Sequence, residues 1–284
     1  MRPIRIAAQF HPQHGAWRDL RAAALEAERL GFDIAYTWDH FFPLYGDPHG
    51  AHFECWSTLA ALAEATGRIE IGPLVSCNSY RNPQLLADMV RTVDHISGGR
   101  AILGLGSGWK RRDYDEYGYE YGTTGSRLQA LDAAIPLMLD RLDRLVPPPV
   151  RRIPILIAGT GPLRTMKLVA RHADAWHASF PERPAELEPA VAALRRWCDE
   201  IGRDPVAIEW GLGVEPDDLD RFLAEDAATY VEMGFTQFTL GFNGPGWDVE
   251  AGLPWLAWRD GVNRGMGNGA PRRSPQELAV ADRR

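Results

Sequence analysis

Four short clusters of residues have the types and spacing that binding or catalysis requires. In chain order they are His11-x-x-His14, Asp39-His40, Gly104-x-Gly106-x-Gly108-Trp109 and Gly159-Thr160-Gly161-Pro162. Glycines let a ligand approach the backbone closely, histidine exchanges protons near neutral pH, and paired histidines can bind a metal ion. The chemistries to distinguish are therefore ring or phosphate binding, proton transfer and metal catalysis.

The glycine run at 104–108 ends a short apolar strand and leads directly into Trp109. It differs from a dinucleotide-binding fingerprint, because the third spacing is absent and no helix follows at once. Close packing of a flat ring against residues 106–108 is the more natural interpretation. Arg111 and Arg112, just beyond the run, can meet an anionic tail, and a solvated charged turn is an equal alternative.

The turn Gly159-Thr160-Gly161 lies between a strand and a helix, and Pro162 suits the first position of that helix. Small residues let several backbone N–H groups face one point, and a helix N-terminus adds a partial positive charge. The turn is therefore either a seat for a phosphate or another anion, or an ordinary connection between a strand and a helix.

The two clusters that contain histidine favour acid–base or metal chemistry. A carboxylate beside an imidazole can tune its protonation or bind a cofactor edge, so Asp39 and His40 are candidates for proton transfer. A purely structural histidine is the alternative. A metal-dependent barrel hydrolase would use His11, His14 and Asp39, but the spacing does not identify the further ligands that it needs. We therefore expect no metal.

Composition excludes several classes of protein. The formal net charge of −7 argues against nucleic acid or an anionic membrane as a partner, and no apolar run reaches the length of a membrane span. The three cysteines are far apart, which indicates reduced thiols, and the N-terminus carries no secretory signal pattern. We expect a cytoplasmic homodimer that binds a small-molecule substrate.

Strand-like and helix-like segments alternate along the chain and must position these clusters. Apolar strands are predicted at Ile4–Phe10, Asp33–Trp38, Glu70–Ser76, Ala101–Leu105, Ile153–Ala158, Ala175–Ala178, Val206–Val214 and Thr236–Leu240. Helices are predicted at Trp17–Leu30, Cys55–Thr66, from Pro83 onward, and at Arg127–Leu145, Pro162–His172, Ala185–Ile201, Asp217–Met233 and Asp248–Asn263. This alternation predicts an α/β fold: a single-domain (β/α)8 TIM-like barrel over residues 1–264, with its site at the C-terminal strand ends. The Gly-, Pro- and Arg-rich residues 265–284 are expected to form a disordered tail.

Further motifs give the chain a specific resemblance. They are Glu28-x-x-Gly31-Phe32-Asp33, Trp38-x-His40-Phe41, Tyr80-Arg81-Asn82-Pro83, Asp94-x-Ile96-Ser97-Gly98-Gly99-Arg100 and Ala173-Asp174-x-Trp176. Together with the glycine run they resemble the luciferase-like monooxygenase superfamily, especially its short branch that uses the deazaflavin coenzyme F420. The resemblance implies an oxidoreductase that transfers hydride between F420 and a small organic substrate.

The resemblance also implies roles for individual residues. Asp39 matches a residue that contacts the deazaflavin ring, and His40 matches one that transfers protons in some relatives. Leu74-Val75 matches a bulge where the family often has a non-proline cis peptide that supports the ring. The other implied cofactor-binding residues are Ser76, Gly106, Ser107, Gly108 and Trp109 near the ring, and Ala158, Gly159, Thr160 and Gly161 at the phosphate.

Two departures from the family pattern concern the substrate and the cofactor. Relatives that act on a sugar phosphate carry an acidic residue where this chain has Trp109, which argues against such a substrate. The aromatic surroundings, including Trp38, Tyr114 and Trp176, indicate a flatter or more apolar one. The long late insertion of many flavin monooxygenases is missing, which favours F420. The rivals to this reading are an FMN-dependent monooxygenase, the metal-dependent hydrolase and a non-catalytic F420-binding protein.

Overall fold

The structure is a computed structural model that describes residues 2–267, and it forms a ring of parallel strands surrounded by helices. The strands are β1 (Arg5–Phe10), β2 (Ile34–Thr37), β3 (Glu70–Pro73), β4 (Ser76–Cys77), β5 (Leu103–Gly106), β6 (Ile155–Ala158), β7 (Ala175–His177), β8 (Glu209–Val214) and β9 (Phe235–Phe242). The α-helices are α1 (Trp17–Leu30), α2 (Cys55–Ala65), α3 (Pro83–Ser97), α4 (Arg111–Tyr117), α5 (Thr124–Arg144), α6 (Thr165–His172), α7 (Glu188–Glu200), α8 (Leu219–Glu225), α9 (Ala227–Met233) and α10 (Leu253–Gly267).

The sheet closes on itself. Its strands pair in parallel in the order β3-β2-β1-β9-β8-β7-β6-β5-β4. The ring closes between β3 and the start of β5, where the Ile71 N–H donates to the Arg100 carbonyl at 3.0 Å and the Ile102 N–H donates to the Ile71 carbonyl at 2.8 Å. β3 and β4 are halves of one predicted strand, interrupted by Leu74 and Val75, whose shared peptide bond is cis. The predicted (β/α)8 barrel is therefore confirmed.

Local sequence signals fix the ends of several helices. α2 begins after Glu54, whose carboxylate accepts hydrogen bonds from the N–H groups of Trp56 at 3.1 Å and Ser57 at 2.7 Å. α1 and α3 end at Gly31 and Gly98, both in the left-handed conformation that glycine adopts at low cost. The chain re-enters the barrel within a few residues of each of these two glycines, at β2 after Gly31 and at β5 after Gly98.

The barrel interior is filled on the side of the N-terminal strand ends. Its apolar cluster consists of Ala7, Ile34, Tyr36, Ile102, Leu156 and Ala175. Leu74, Val75 and Ala158 pack against this cluster and are partly exposed toward the C-terminal strand ends. A larger cluster lies between the strands and the surrounding helices. The packing leaves space at the end of the barrel where the candidate residues converge.

Several predicted boundaries are wrong. The sequence predicts no helix directly after the glycine run, but α4 begins at Arg111, three residues after Gly108. The helix predicted from Pro162 begins at Thr165, because residues 162–164 form a turn. The helix predicted at Asp217–Met233 is divided at Asp226, whose carboxylate pairs with Arg221 at 2.8 Å.

The predicted C-terminal tail lies mostly beyond the part of the chain that the structure describes. Helix α10 extends to Gly267, so residues 265–267 are helical, and residues 268–284 lie outside the described residues. Within residues 2–267, no helix has both the length and the apolar character needed to cross a bilayer.

Candidate active site

A pocket of about 390 Å³ opens at the C-terminal strand ends. Of the predicted site residues, those that line it are Asp39, His40, Leu74, Val75, Gly106, Ser107, Gly108, Trp109, Ala158 and Gly159. Three predicted residues do not line it. Thr160 and Gly161 are exposed beside the pocket, and Ser76 is buried, with its hydroxyl accepting a hydrogen bond from Trp56 Nε1 at 2.7 Å.

The glycine run is explained by close approach of the third strand. A Cβ at Gly104 would overlap the Pro73 carbonyl oxygen, and a Cβ at Gly106 would lie 2.6 Å from Val75 Cγ2. A Cβ at Gly108 would collide with the Tyr114 hydroxyl. These glycines therefore make room first for the protein itself, and packing of a flat ring against residues 106–108 stays a prediction. They admit the Leu74–Val75 bulge and the α4 side chains, and the bulge then lines the pocket.

His40 is held by a carboxylate that the sequence did not single out. Its Nδ1 lies 2.6 Å from Asp113 Oδ2, and Asp113 is fully buried on α4. The Tyr80 hydroxyl donates to the same oxygen at 3.1 Å, and the Phe41 N–H donates to Oδ1 at 3.4 Å. Because an ionised carboxylate only accepts hydrogen bonds, His40 Nδ1 carries the proton, and Nε2 is the basic nitrogen.

Asp39 is engaged by Arg81. The guanidinium binds both carboxylate oxygens, at 2.5 and 3.0 Å, and the Cys77 N–H donates to the same carboxylate at 3.1 Å. Burial raises the pKa of Asp39, and the charge of Arg81 opposes this shift. Arg81 also pairs with Glu54 at 2.7 Å. Asp39 thus links the segment after β2 to β4 and fixes the pocket wall beside His40.

Three other histidines around the pocket are uncharged near neutral pH. Burial lowers the pKa of His11 to about 4 and that of His177 to about 3. Burial and the nearby His40 lower the pKa of His52 to about 4. His11 stacks on Trp38, with ring centroids 4.2 Å apart, and the Trp38 indole donates to His52 at 3.0 Å. These imidazoles build the wall without adding positive charge.

The turn at 159–161 offers fewer donors than the sequence predicted. The Gly159 N–H already donates to the His177 carbonyl at 3.0 Å. The N–H groups of Thr160 and Gly161 have no hydrogen-bond partner anywhere in residues 2–267. Since α6 begins only at Thr165, these two groups, rather than a helix start at Pro162, are the donors available to an anion.

The residues of the metal-hydrolase alternative do not converge. His14 Nε2 lies 2.6 Å from the Tyr45 carbonyl oxygen, and Asp39 is bound by Arg81. Across residues 2–267, no group of three or more His, Cys, Asp or Glu side chains is arranged to hold a metal ion. Arg111 and Arg112 are also engaged, by Asp115 at 2.8 Å and by the Pro48 carbonyl at 2.8 Å.

The loop after β5 is anchored by residues that sequence reasoning missed. Arg127 donates to the Gly108 carbonyl at 3.1 Å, and the Tyr121 hydroxyl donates to the Trp109 carbonyl at 2.9 Å. Tyr121 lies in the tyrosine-rich segment at residues 114–121, and Arg127 lies in α5. The only sequence signal for them was the density of tyrosines after the run. Their contacts fix the backbone from which the Trp109 side chain projects.

The family is established by the sequence match. Residues 1–216 match the model of the luciferase-like monooxygenase family, which is well over half of the chain. The chain therefore belongs to the luciferase-like monooxygenases, a family of oxidoreductases, as its motifs predicted.

Individual relatives and solved structures agree with this assignment. A phthiodiolone/phenolphthiodiolone dimycocerosates ketoreductase from Mycobacterium sp. (strain JLS) is 31% identical over an alignment of 177 residues that covers 56% of this chain and 46% of that protein. The match thus spans about half the length of that relative. The structure of an F420-dependent secondary alcohol dehydrogenase with an F420–acetone adduct superposes with a TM-score of 0.76 at 18% identity, covering 89% of this chain and 97% of that one. A riboflavin lyase with modified FMN and riboflavin superposes with a TM-score of 0.70 at 13% identity, covering 99% and 96%. The two superpositions confirm the barrel fold.

Proposed function

We propose that this protein transfers hydride between coenzyme F420 and a small organic substrate. The observation that carries the proposal is the His40–Asp113 pair at the pocket, because it supplies a nitrogen that can exchange a proton beside a largely apolar wall. A ketoreductase and an alcohol dehydrogenase are among the similar proteins, and both names describe chemistry at a carbonyl or alcohol carbon. This supports an alcohol and its carbonyl product as the substrate pair.

The pocket residues fit a flavin-type ring. Leu74, Val75 and Ala158 supply an apolar floor on which a flat ring can stack. Gln9 lines the same pocket, and its side-chain oxygen is buried without a hydrogen-bond partner in the part of the chain described. Such an acceptor requires a donor, and the pyrimidine edge of a deazaflavin or flavin carries an N–H group. We infer that Gln9 binds this edge and that the bulge supports the ring.

The phosphate of the cofactor would lie outside this floor. Thr160 and Gly161 are exposed and follow the pocket-lining residues Ala158 and Gly159, and their N–H groups have no hydrogen-bond partner within residues 2–267. Backbone N–H groups that converge beside glycine are suited to bind a phosphate. We infer that this turn holds the phosphate and that Gly106, Ser107 and Gly108 lie along the ring.

His40 moves the proton that accompanies the hydride. When bound, the deazaflavin accepts or supplies the hydride. Oxidation of an alcohol also releases the hydroxyl proton, and His40 Nε2 accepts it. The proton on Nδ1 stays hydrogen-bonded to Asp113, so the imidazolium that forms lies against a buried carboxylate. In the reverse direction the same Nε2–H protonates the developing alcohol oxygen.

Turnover with a His40 variant tests this function. Oxidised F420 is mixed with secondary alcohols, and the loss of the deazaflavin absorbance is followed for the wild type, His40→Gln and the exposed control His49→Gln. We expect His40→Gln to lower kcat about a hundredfold or more while F420 affinity changes little, since general acid–base catalysis typically contributes that much. Full activity in His40→Gln, or oxygen-dependent turnover with FMN and none with F420, would contradict the proposal.

A further inference from the structure

We propose that the substrate is an uncharged alcohol or carbonyl compound with an apolar body, and that Tyr45, Trp109 and Phe180 form the surface that binds this body. The inference deepens the proposed function and rests on it. Three independent observations support it: the arrangement of aromatic rings at the pocket mouth, their exposure, and the absence of lysine and arginine from the described pocket lining.

The rings form a continuous arc. Trp38 stacks on His11 and lies 6.0 Å from Tyr45 and 5.9 Å from His40, between ring centroids. His40 meets Trp109 edge to face at 5.5 Å. The arc therefore extends from Tyr45 through Trp38 and His40 to Trp109. His40, which would exchange the proton, lies within it.

Phe180 extends the aromatic wall beyond His11. Its ring packs onto Gly213, where a Cβ would lie 2.5 Å from Phe180 Cε1. A Cβ at Gly241 would lie 3.8 Å from Phe180 Cζ and 3.1 Å from His11 Cε1, so the two rings lie beside the same glycine. The absence of a side chain at Gly213 thus lets the Phe180 ring settle at the pocket edge, beside the arc.

The outer rings of this wall are exposed although they are large and apolar. Tyr45 and Trp109 are each 60% exposed, and Phe180 is 46% exposed. All three line the one pocket. Exposed aromatic side chains that surround a cavity are typical of a surface that becomes covered when an apolar ligand binds. Tyr121 holds the backbone carbonyl of Trp109, which fixes the point from which the ring projects.

The lining offers nothing to neutralise an anionic substrate. Among the described residues that line the pocket there is no lysine or arginine. Its one carboxylate, Asp39, is paired with Arg81, and His11 and His177 are neutral at pH 7. A charged group carried into this pocket would lose its hydration without gaining an ion pair. Lys110 lies at the rim, with its ammonium 5.4 Å from the centre of the Trp109 ring.

Binding of a matched pair of ketones tests the inference without turnover. Acetophenone and 4-acetylbenzoate share the ring and the carbonyl and differ by one carboxylate. Each is titrated calorimetrically into the protein saturated with oxidised F420, with which a ketone does not react, and into the protein alone. We expect acetophenone to bind at least about tenfold more tightly than 4-acetylbenzoate, and Trp109→Ala to weaken acetophenone binding about tenfold.

Two control variants separate the outcomes. Trp197→Ala removes a half-buried tryptophan on α7 that does not line the pocket, and it should leave acetophenone binding unchanged. Lys110→Gln should also leave it unchanged. Equal or tighter binding of 4-acetylbenzoate, or unchanged acetophenone binding in Trp109→Ala, would overturn the inference while leaving F420 turnover intact. Conversely, acetophenone binding that depends on Trp109 in a protein that neither binds nor turns over F420 would overturn the proposed function alone.

Discussion

Replacing Asp113 with asparagine removes the charge that holds His40 and preserves the shape of the side chain. Asp113 is fully buried and accepts hydrogen bonds from His40 Nδ1 at 2.6 Å, the Tyr80 hydroxyl at 3.1 Å and the Phe41 N–H at 3.4 Å. A hydrogen bond to a charged group contributes about 1.5–3 kcal/mol, against about 0.5–1.5 kcal/mol for a neutral pair. The variant should therefore lose about 1–2 kcal/mol when His40 becomes charged.

This loss falls on the rate rather than on binding. Asp113 has no exposed surface with which to touch a substrate, so KM and F420 affinity should stay within about twofold, while 1–2 kcal/mol lowers kcat about five- to thirtyfold. The assay is steady-state reduction of F420, paired with a binding titration of the cofactor. Asp115→Asn is the matched control, because Asp115 lies on the same helix and forms only a surface ion pair with Arg111.

Two results would refute this reasoning. If Asp113→Asn keeps kcat within twofold of the wild type, the carboxylate does not support the proton exchange of His40. If Asp115→Asn loses as much activity as Asp113→Asn, the effect belongs to the stability of α4 and not to the His40 contact.

Three further changes test how the pocket is built. Gly106→Ala places a Cβ 2.6 Å from Val75 Cγ2, so the bulge must shift, and we expect a loss of about 1–3 kcal/mol in unfolding free energy together with weaker F420 binding; an unchanged melting temperature and affinity would contradict this. Arg81→Leu leaves Asp39 buried without its ion pair and should cost about 3–5 kcal/mol near neutral pH in denaturant titrations. Removing Arg81 raises the pKa of Asp39 further, so the folded variant binds more protons than the folded wild type at pH values above the wild-type pKa of Asp39, which burial already holds above its ordinary value. The deficit relative to the wild type should therefore grow as pH rises above that pKa, and a pH-independent deficit would count against it. His177 has its pKa lowered to about 3 against 6.5 in the unfolded chain, so the unfolded state binds the extra proton and stability should fall with decreasing pH below about 6.5, by about 2 kcal/mol at pH 5. His177→Asn should remove that part of the pH dependence, and identical pH profiles for the two proteins would rule it out.

The fold could be predicted because its signals are local. Alternating apolar strands and amphipathic helices are read from neighbouring residues, and the chain returns to the barrel at ends such as Gly31 and Gly98. Boundaries without such a signal were missed. The division at Asp226 occurs with neither proline nor glycine at that position, and Pro162, a favourable first residue of a helix, lies instead in a turn before Thr165.

Site residues could be predicted from the sequence only where the residue itself, or a motif around it, indicates a function. His40 was found from its residue type beside Asp39, and the Leu74–Val75 bulge was found through the family resemblance. The side chains that hold the site residues in place are distant in sequence. Asp113 lies 73 residues from His40, and Arg81 lies 42 residues from Asp39. The sequence around Asp113 is rich in charged residues, and nothing in it distinguishes a buried carboxylate from a solvated one. The glycine run was correctly identified as a place of close approach, and only the packing revealed that the approaching groups are Pro73, Val75 and Tyr114.

Cofactor binding tests the central claim most directly. Purified protein is titrated in parallel with F420, FMN and FAD, and binding is followed by quenching of tryptophan and cofactor fluorescence and by calorimetry. We predict saturable binding of F420 to one site in each chain, weaker binding of FMN and FAD, and loss of F420 affinity in Gly106→Ala. Tight binding of FMN with no binding of F420 would contradict the assignment.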